Sequence, residues 1–264
     1  LIIGSIVVST LLWARSENPF VWLVLFSTLF LGAIGFYDDW LKVSKKNSKG
    51  ISSKLKFGLQ CVLAAIFTIF FLTSPRLAEI AKQLYIPFLK EPLIVSLGWL
   101  TFVFYLLVIV GTSNAVNLTD GLDGLATGCT ATVAATYAGL AYLAGNVRAA
   151  EYLQIPYVPF SGELAVVCSA LLGACLGFLW WNAFPARVFM GDTGSLAIGG
   201  MLGAVAICCK QEILLVIVGG VFVIEALSVI LQVLSFKMTG RRIIKMSPIH
   251  HHFELSGWKE NTVI

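Results

Sequence analysis

Residues 20–37 read FVWLVLFSTLFLGAIGFY, an uninterrupted apolar run that ends directly before the acidic pair Asp38-Asp39. A helix of about 18 residues rises about 27 Å, close to the roughly 30 Å thickness of the hydrocarbon core of a bilayer. Similar apolar runs recur along the chain at about 1–13, 57–74, 96–113, 127–145, 162–181, 195–209 and 213–236. This pattern predicts an all-α fold, a polytopic integral membrane helix bundle with about eight spans.

The composition points to the same fold class. Of the 264 residues, 58% are hydrophobic and only 12% are charged, whereas soluble domains carry about 25% charged residues. Half the usual charge cannot cover a soluble surface of this size, which excludes a soluble enzyme, a disordered chain and a secreted disulfide scaffold. We expect residues 1–264 to form a single integral membrane domain, truncated at both ends.

The charged residues are divided unequally between the two sets of connecting segments. Twelve of the 18 lysines and arginines lie in one set, which comprises 38–56, 114–126, 182–194 and 237–264. The positive-inside rule assigns this set to the cytoplasm. Every aspartate and all three histidines fall on the same side, which predicts a polar site at the cytoplasmic membrane face.

The segment GFYDDW (residues 35–40) brings two carboxylates to the end of a predicted span. Adjacent carboxylates at a helix C-terminus oppose the helix dipole, so a divalent cation or nearby lysines would stabilise them. Paired carboxylates are also what acid–base or metal-assisted phosphoryl chemistry needs. A charge pair that only ends the helix is the structural alternative for Asp38 and Asp39.

The segment NAVNLTDGLDGL (residues 114–125) is polar and interrupted by glycines. If it is helical, Asn117, Asp120 and Asp123 share one face because they repeat every three residues. The glycines would let a ligand approach the backbone closely. A polar turn is the alternative.

The segment WNAFPARVFMGDTGS (residues 181–195) leads into the next predicted span. Asp192 lies where that span starts, a position that suits a metal ligand holding phosphate oxygens and equally suits a helix cap. Phe189 could stack on a planar base, although an interfacial aromatic residue is more often a membrane anchor.

The segment RRIIKMSPIHHHFEL (residues 241–255) contains three consecutive histidines. Neighbouring side chains on a helix point about 100° apart, so His250, His251 and His252 cannot all bind one metal. Phosphate binding or loop ordering fits better, since the adjacent bases attract anions. Together the four segments favour the transfer of a phosphorylated group at the membrane surface.

The strings GFYDDW, NAVNLTDGLDGLA, NAFPARVFMGDTGS and PIHHHFEL, in this order, closely resemble the phospho-N-acetylmuramoyl-pentapeptide transferases. These enzymes belong to the polyprenyl-phosphate N-acetylhexosamine-1-phosphate transferase superfamily. The resemblance implies a bacterial inner-membrane enzyme of ten helices, of which this chain would contain about eight. It also implies that UDP-N-acetylmuramoyl-pentapeptide and undecaprenyl phosphate react to give lipid I and UMP in peptidoglycan synthesis.

The same resemblance implies roles for individual residues and for a cofactor. Mg²⁺ would be bound at Asp192, and Asp38 and Asp39 would be the catalytic carboxylates, with Asp38 as base or as nucleophile. Phe189 would lie against uracil and the histidines near the diphosphate. The implied substrate-binding residues are Lys56, Asn117, Asp120, Asp123, Asn182, Phe189, His250, His251 and His252. Thr193 stands where the family usually has valine, a difference we expect to have little effect.

The expected partners are the two substrates and the lipid bilayer, with no nucleic acid. The oligomeric state stays open, a homodimer included. Two other functions stay open as well. One is an N-acetylglucosamine-1-phosphate transferase of the same superfamily, which the histidine run disfavours. The other is a cation-coupled transporter, which would place ionisable residues near mid-membrane, whereas only Glu225 lies within a predicted span and could equally be a buried structural carboxyl.

Overall fold

The computed structural model describes residues 1–46, 50–87, 89 and 91–264. Lys49 and Lys90, which belong to the bases used above to orient the chain, lie outside the described residues. Within the described part of the chain, the regular structure is helical apart from one β-bridge between Leu84 and Ile94. The predicted all-α class is therefore confirmed.

Thirteen α-helices are present in the described ranges, joined by short connections. They are α1 (Ile2–Trp13), α2 (Pro19–Ser44), α3 (Ser53–Thr73), α4 (Ala78–Lys82), α5 (Leu100–Thr119), α6 (Leu125–Ala144), α7 (Val147–Leu153), α8 (Leu164–Asn182), α9 (Gly191–Cys209), α10 (Leu214–Val218), α11 (Gly220–Thr239), α12 (Ile249–Glu254) and α13 (Glu260–Val263). A short 3₁₀ turn, Ser161–Glu163, leads into α8.

Six of these helices are long and apolar enough to cross a membrane: α2, α3, α5, α8 with its preceding turn, α9 and α11. The polytopic membrane bundle is thus confirmed, although about eight spans were predicted. The run at 1–13 forms a helix of only 12 residues. The run at 127–145 forms α6, in which threonine, glycine and tyrosine among the alanines lower the mean hydropathy.

The helix α9 lies at the centre of the bundle and packs against α2, α5 and α6. In its most apolar 18-residue window, 89% of the residues are buried. Glycines make this packing close: a Cβ on Gly199 would lie 2.5 Å from the carbonyl oxygen of Thr112 on α5, and one on Gly35 of α2 would overlap the carbonyl of Asp192. Small residues of this kind let membrane helices approach closely.

The polar connections meet at one end of the bundle. The helices α2, α5, α8 and α11 end there, and α3, α6 and α9 begin there. Hydrogen bonds join these ends across long stretches of sequence: Asn117 of α5 donates to Asp192 of α9 at 2.7 Å, and Thr127 of α6 donates to Asn182 of α8 at 2.7 Å. Asp38, Asp39 and Asp192 lie close together at this end of the bundle.

Candidate active site

The acidic pair lies inside α2, because this helix continues to Ser44. The expectation that the span ends directly before Asp38 was wrong, since Trp40, Leu41 and Val43 extend the apolar helical pattern. Consecutive residues of a helix point about 100° apart. The two carboxylates therefore face different neighbours and have different environments.

Asp38 is the more buried carboxylate, with 6% of the residue exposed. Its Oδ1 accepts the backbone N–H of Ile51 at 2.6 Å, and Gly50 lies directly against the carboxyl group. Its Oδ2 is 2.6 Å from the ammonium of Lys42, one helical turn further along α2. Both oxygens therefore have a hydrogen-bond or ion-pair partner that fixes the orientation of the carboxyl group.

Asp39 turns toward the beginning of α9. Its Oδ2 accepts the backbone N–H of Thr193 at 2.9 Å and the hydroxyl of Thr193 at 2.7 Å. The N-terminus of a helix carries free N–H groups and a partial positive charge, which a carboxylate stabilises. Asp39 thus joins α2 to α9 through its direct contact with Thr193.

Asp192 lies in the first turn of α9, as its position in the sequence predicted. Its Oδ1 accepts the amide N–H of Asn117 at 2.7 Å, and its Oδ2 accepts a hydrogen bond from Lys42 Nζ at 2.6 Å. The same Asn117 amide also donates to Ser195 Oγ at 2.8 Å. Asn117 therefore orients Asp192, while Lys42 links it to Asp38.

The three carboxylates form a compact oxygen cluster. Asp38, Asp39 and Asp192 each offer a carboxylate oxygen, and these atoms all lie within 4.8 Å of one another. Mg²⁺ prefers oxygen ligands and is usually held by one or two carboxylates together with water and substrate phosphates. The residues present therefore fit a magnesium ion.

Lys42 contacts two of the three clustered carboxylates, and the sequence analysis did not single it out. It was counted among the bases that orient the chain and was included, without its number, in the expectation that nearby lysines stabilise the acidic pair. The available signal was its spacing from Asp38, because residues four apart lie side by side on a helix. That signal is useful only if α2 continues past Asp39. The sequence analysis ended the span at residue 37, so Lys42 was not placed on the same helix as Asp38.

The segment after α5 is a turn, which is the alternative that the sequence left open, so the helix does not extend far enough to align Asn117, Asp120 and Asp123 on one face. The helix ends at Thr119, and Gly124, with a φ of 80°, precedes α6. This positive φ is open to glycine and costly for other residues. Asn117 therefore faces Asp192, whereas Asp123 accepts the backbone N–H of Ala186 at 2.8 Å.

Asp120 lies at the end of α5, beside the beginning of α9. Burial raises the pKa of its carboxyl from 3.8 to about 7; the negative charges of Asp192 and Asp39 add to the shift, and a hydrogen bond from the backbone N–H of Gly191 opposes it. The arrangement therefore places a carboxyl that titrates near neutral pH at the edge of the acidic cluster.

The three histidines have three different neighbours. His250 Nδ1 lies 3.1 Å from Glu225 Oε2, and both residues are buried. His251 Nδ1 is 2.7 Å from Glu254 Oε2. His252 Nδ1 accepts the backbone N–H of Lys245 at 3.2 Å.

The buried His250 ring packs against the turn that carries Asp120. A Cβ on Gly121 would overlap the Nε2 of this ring. A second contact of the C-terminal segment reaches the same turn, since the backbone N–H of Asp123 donates to Glu260 Oε1 at 3.1 Å. The histidine segment thus orders the turn, and its predicted role in substrate binding stays a prediction.

The remaining predicted site residues differ in how accessible they are. Phe189 is 73% exposed, and Lys56 lies partly exposed in the first turn of α3. Asn182 is only 3% exposed; it accepts the Thr127 hydroxyl at 2.7 Å and donates to the carbonyl of Val188 at 3.0 Å. Asn182 therefore holds the loop that presents Phe189.

Sequence similarity to known proteins identifies the family of this chain. Residues 21–210 match the family model described as glycosyl transferase family 4. A phospho-N-acetylmuramoyl-pentapeptide-transferase of Desulfotalea psychrophila is 59% identical over 267 aligned residues, which cover 100% of this chain and 73% of the relative. Proteins with the same name in Methylacidiphilum infernorum and Ruegeria pomeroyi are each 54% identical; they cover 100% of this chain and 72% and 73% of the respective relatives. The chain therefore belongs to the phospho-N-acetylmuramoyl-pentapeptide transferase family, within glycosyl transferase family 4.

Proposed function

We propose that this chain transfers phospho-N-acetylmuramoyl-pentapeptide from its UDP conjugate to undecaprenyl phosphate, giving lipid I and UMP. The chain is a transferase of peptidoglycan synthesis by its family, and relatives at 54–59% identity carry the name of this transferase. The observation that carries the proposal is the carboxylate cluster at one end of a bundle of membrane helices. Neither the N-acetylglucosamine-1-phosphate transferases nor a cation transporter is favoured by these relatives.

Asp38, Asp39 and Asp192 would hold Mg²⁺. When bound, the ion supplies positive charge that neutralises the diphosphate and stabilises the UMP leaving group. Asn117 supports this role, because its hydrogen bond to Asp192 orients one of the ligands. Asp39 contributes through its second oxygen, since Oδ2 is engaged by Thr193.

In the reaction, an oxygen of the lipid phosphate forms a bond to the sugar-linked phosphorus, and the bond from that phosphorus to the UMP oxygen breaks. Asp38 would take up the proton of the lipid phosphate in a direct attack. In a two-step route, one Asp38 oxygen would first bond to the sugar-linked phosphorus and expel UMP, and the lipid phosphate oxygen would then displace Asp38 from that phosphorus. The contact of Asp38 with Lys42 supports either role, because it holds a carboxyl oxygen in a fixed place at the site.

The substrates would approach from two sides. The exposed ring of Phe189 is available to stack on uracil, a contact that serves any planar base. The polyprenyl tail would lie along the apolar helices, with its phosphate at the interface. The excess of lysine and arginine at this end of the bundle supports an active site that faces the cytoplasm of the bacterial inner membrane.

The deciding experiment is a transfer assay with the purified chain in detergent. UMP release and lipid product are measured with UDP-N-acetylmuramoyl-pentapeptide and undecaprenyl phosphate, with Mg²⁺ and with EDTA. We expect activity that requires Mg²⁺ and is abolished in Asp38→Asn and in Asp192→Asn. Glu151→Gln, an exposed change on α7 at the other end of the bundle, is the matched control.

Three outcomes would contradict the proposal in whole or in part. Full activity of Asp192→Asn would remove the metal role of this residue. UMP release with UDP-N-acetylglucosamine in place of the muramoyl substrate would assign the chain to the other branch of the superfamily. Ion uptake into vesicles without UMP release would favour the transporter.

A further inference from the structure

We propose that Lys42 is a built-in counter-cation: its ammonium occupies the cation position of the carboxylate cluster until a divalent metal ion displaces it. The inference deepens the proposed function and rests on it, because that function assigns Asp38, Asp39 and Asp192 as the metal ligands. It makes Lys42 a positioning residue that sets how tightly the metal is bound.

The first observation is the place of the ammonium. Lys42 Nζ lies 2.6 Å from Asp38 Oδ2 and 2.6 Å from Asp192 Oδ2, so it bridges two of the three clustered carboxylates. Mg²⁺ binds oxygen ligands at about 2.0–2.1 Å. An ion that bridges the same two oxygens would therefore overlap with the ammonium, and the two cations exclude each other.

The second observation shows which group can move. The Lys42 side chain is 36% exposed, whereas the side chains of Asp38 and Asp192 are 9% and 22% exposed. The carboxylates are also held by other partners, Asp38 by the backbone N–H of Ile51 and Asp192 by the amide of Asn117. A lysine side chain is flexible and strongly hydrated, so the ammonium can turn into water while the carboxylates stay in place.

The third step is electrostatic. Three carboxylates within 4.8 Å of one another repel each other unless a cation lies between them. Lys42 supplies that cation in the metal-free protein and so stabilises it. The same contact weakens metal binding, because the ion must first break two charge-assisted hydrogen bonds. A lysine that only braced the carboxylates in a metal-ready arrangement would have the opposite effect on affinity.

The test measures metal binding directly, without substrate and without turnover. Mn²⁺ serves as the probe, since it resembles Mg²⁺ in its ligands and the free ion is quantified by electron paramagnetic resonance. The wild-type chain in detergent is compared with Lys42→Met, Lys42→Gln and Lys42→Arg. Lys45→Met is the matched control, because Lys45 is an exposed neighbour at the end of the same helix.

We expect Lys42→Met and Lys42→Gln to bind Mn²⁺ about tenfold more tightly than wild type, a change of about 1.4 kcal/mol. Lys42→Arg keeps the charge and is expected to stay close to wild type, as is Lys45→Met. Thermal unfolding gives a second readout: in EDTA, Lys42→Met should unfold at a lower temperature than wild type, and saturating Mn²⁺ should stabilise it by more than it stabilises wild type.

Equal or weaker Mn²⁺ binding by both Lys42→Met and Lys42→Gln would overturn the inference while leaving the proposed metal site intact. Absence of Mn²⁺ binding by wild type and by every variant would instead overturn the metal site itself. If Lys42→Met does not fold, Lys42→Gln carries the test, since its amide can still donate to both carboxylates without the charge.

Discussion

The carboxylate of Asp39 on α2 accepts both the backbone N–H and the hydroxyl of Thr193 at the start of α9, at 2.9 and 2.7 Å. The two residues are 154 positions apart in the chain. The contact fixes the end of one membrane helix against the beginning of another. In this contact Asp39 uses its Oδ2 atom.

Replacing Thr193 by valine should weaken this contact without abolishing it. The backbone N–H still reaches Asp39, and only the hydroxyl is lost. We expect a loss of about 1 kcal/mol in the free energy of unfolding, seen as a fall of about 2–4 °C in Tm. Activity should be retained, because the metal ligands stay in place, and Thr193→Ser should behave like wild type. A Tm of Thr193→Val equal to that of wild type would show that the hydroxyl contributes nothing.

Replacing Phe189 should affect substrate binding and leave the stability unchanged. Its ring is 73% exposed and contributes little to the core. Stacking of an aromatic ring on a base is worth about 1–3 kcal/mol, so Phe189→Leu should raise the KM for the UDP substrate about tenfold, with kcat and Tm little changed. Phe189→Tyr should behave like wild type. A KM unaffected in Phe189→Leu would assign the ring to membrane anchoring.

Asp120 should make the stability of the metal-free protein depend on pH. Its pKa rises from 3.8 to about 7 on folding, so the folded state resists ionisation and stability falls as the pH rises between these two values. Asp120→Asn cannot ionise, so it avoids this fall in stability, and its side-chain oxygen can still accept the Gly191 N–H. In EDTA, we expect this variant to have a higher Tm than wild type at pH 8 and a much smaller advantage at pH 4. Glu151→Gln is the control, and equal Tm values at pH 8 would contradict the shift.

The sequence predicted the features that depend on local patterns. Runs of apolar residues predicted the helices, the distribution of lysine and arginine predicted one polar end, and Asp192 was expected where the span that forms α9 starts. Each of these signals lies within a short segment. The four motifs also identified the family, because their residue sequences and their order along the chain are specific.

The contacts inside the site could not be predicted in this way. Lys42 meets Asp192 across 150 positions, and such a contact depends on how α2 and α9 cross. The span was also predicted to end at residue 37, so the last turn of α2, which carries Lys42, was not predicted as helix. Asn117 and Asp123 would share a helical face only if the helix continued, yet α5 ends at Thr119 and the two side chains have different partners.

The packing of Gly121 against His250 gives a final prediction. A Cβ at position 121 would overlap the ring of this buried histidine, which cannot retreat because Glu225 lies 3.1 Å from its other nitrogen. Gly121→Ala should therefore destabilise the chain by about 1–3 kcal/mol, the usual cost of overpacking, and lower the activity by displacing Asp120.

The cause can be isolated with a double-mutant cycle on Tm and on kcat. If the clash with the ring is responsible, Gly121→Ala should cost little in a His250→Ala background, because the smaller side chain leaves room for the added methyl group. Gly128→Ala on α6, where a Cβ would meet open space, is the matched control and should be neutral. Equal losses from Gly121→Ala in both backgrounds would mean that the turn needs glycine for its backbone rather than for the histidine.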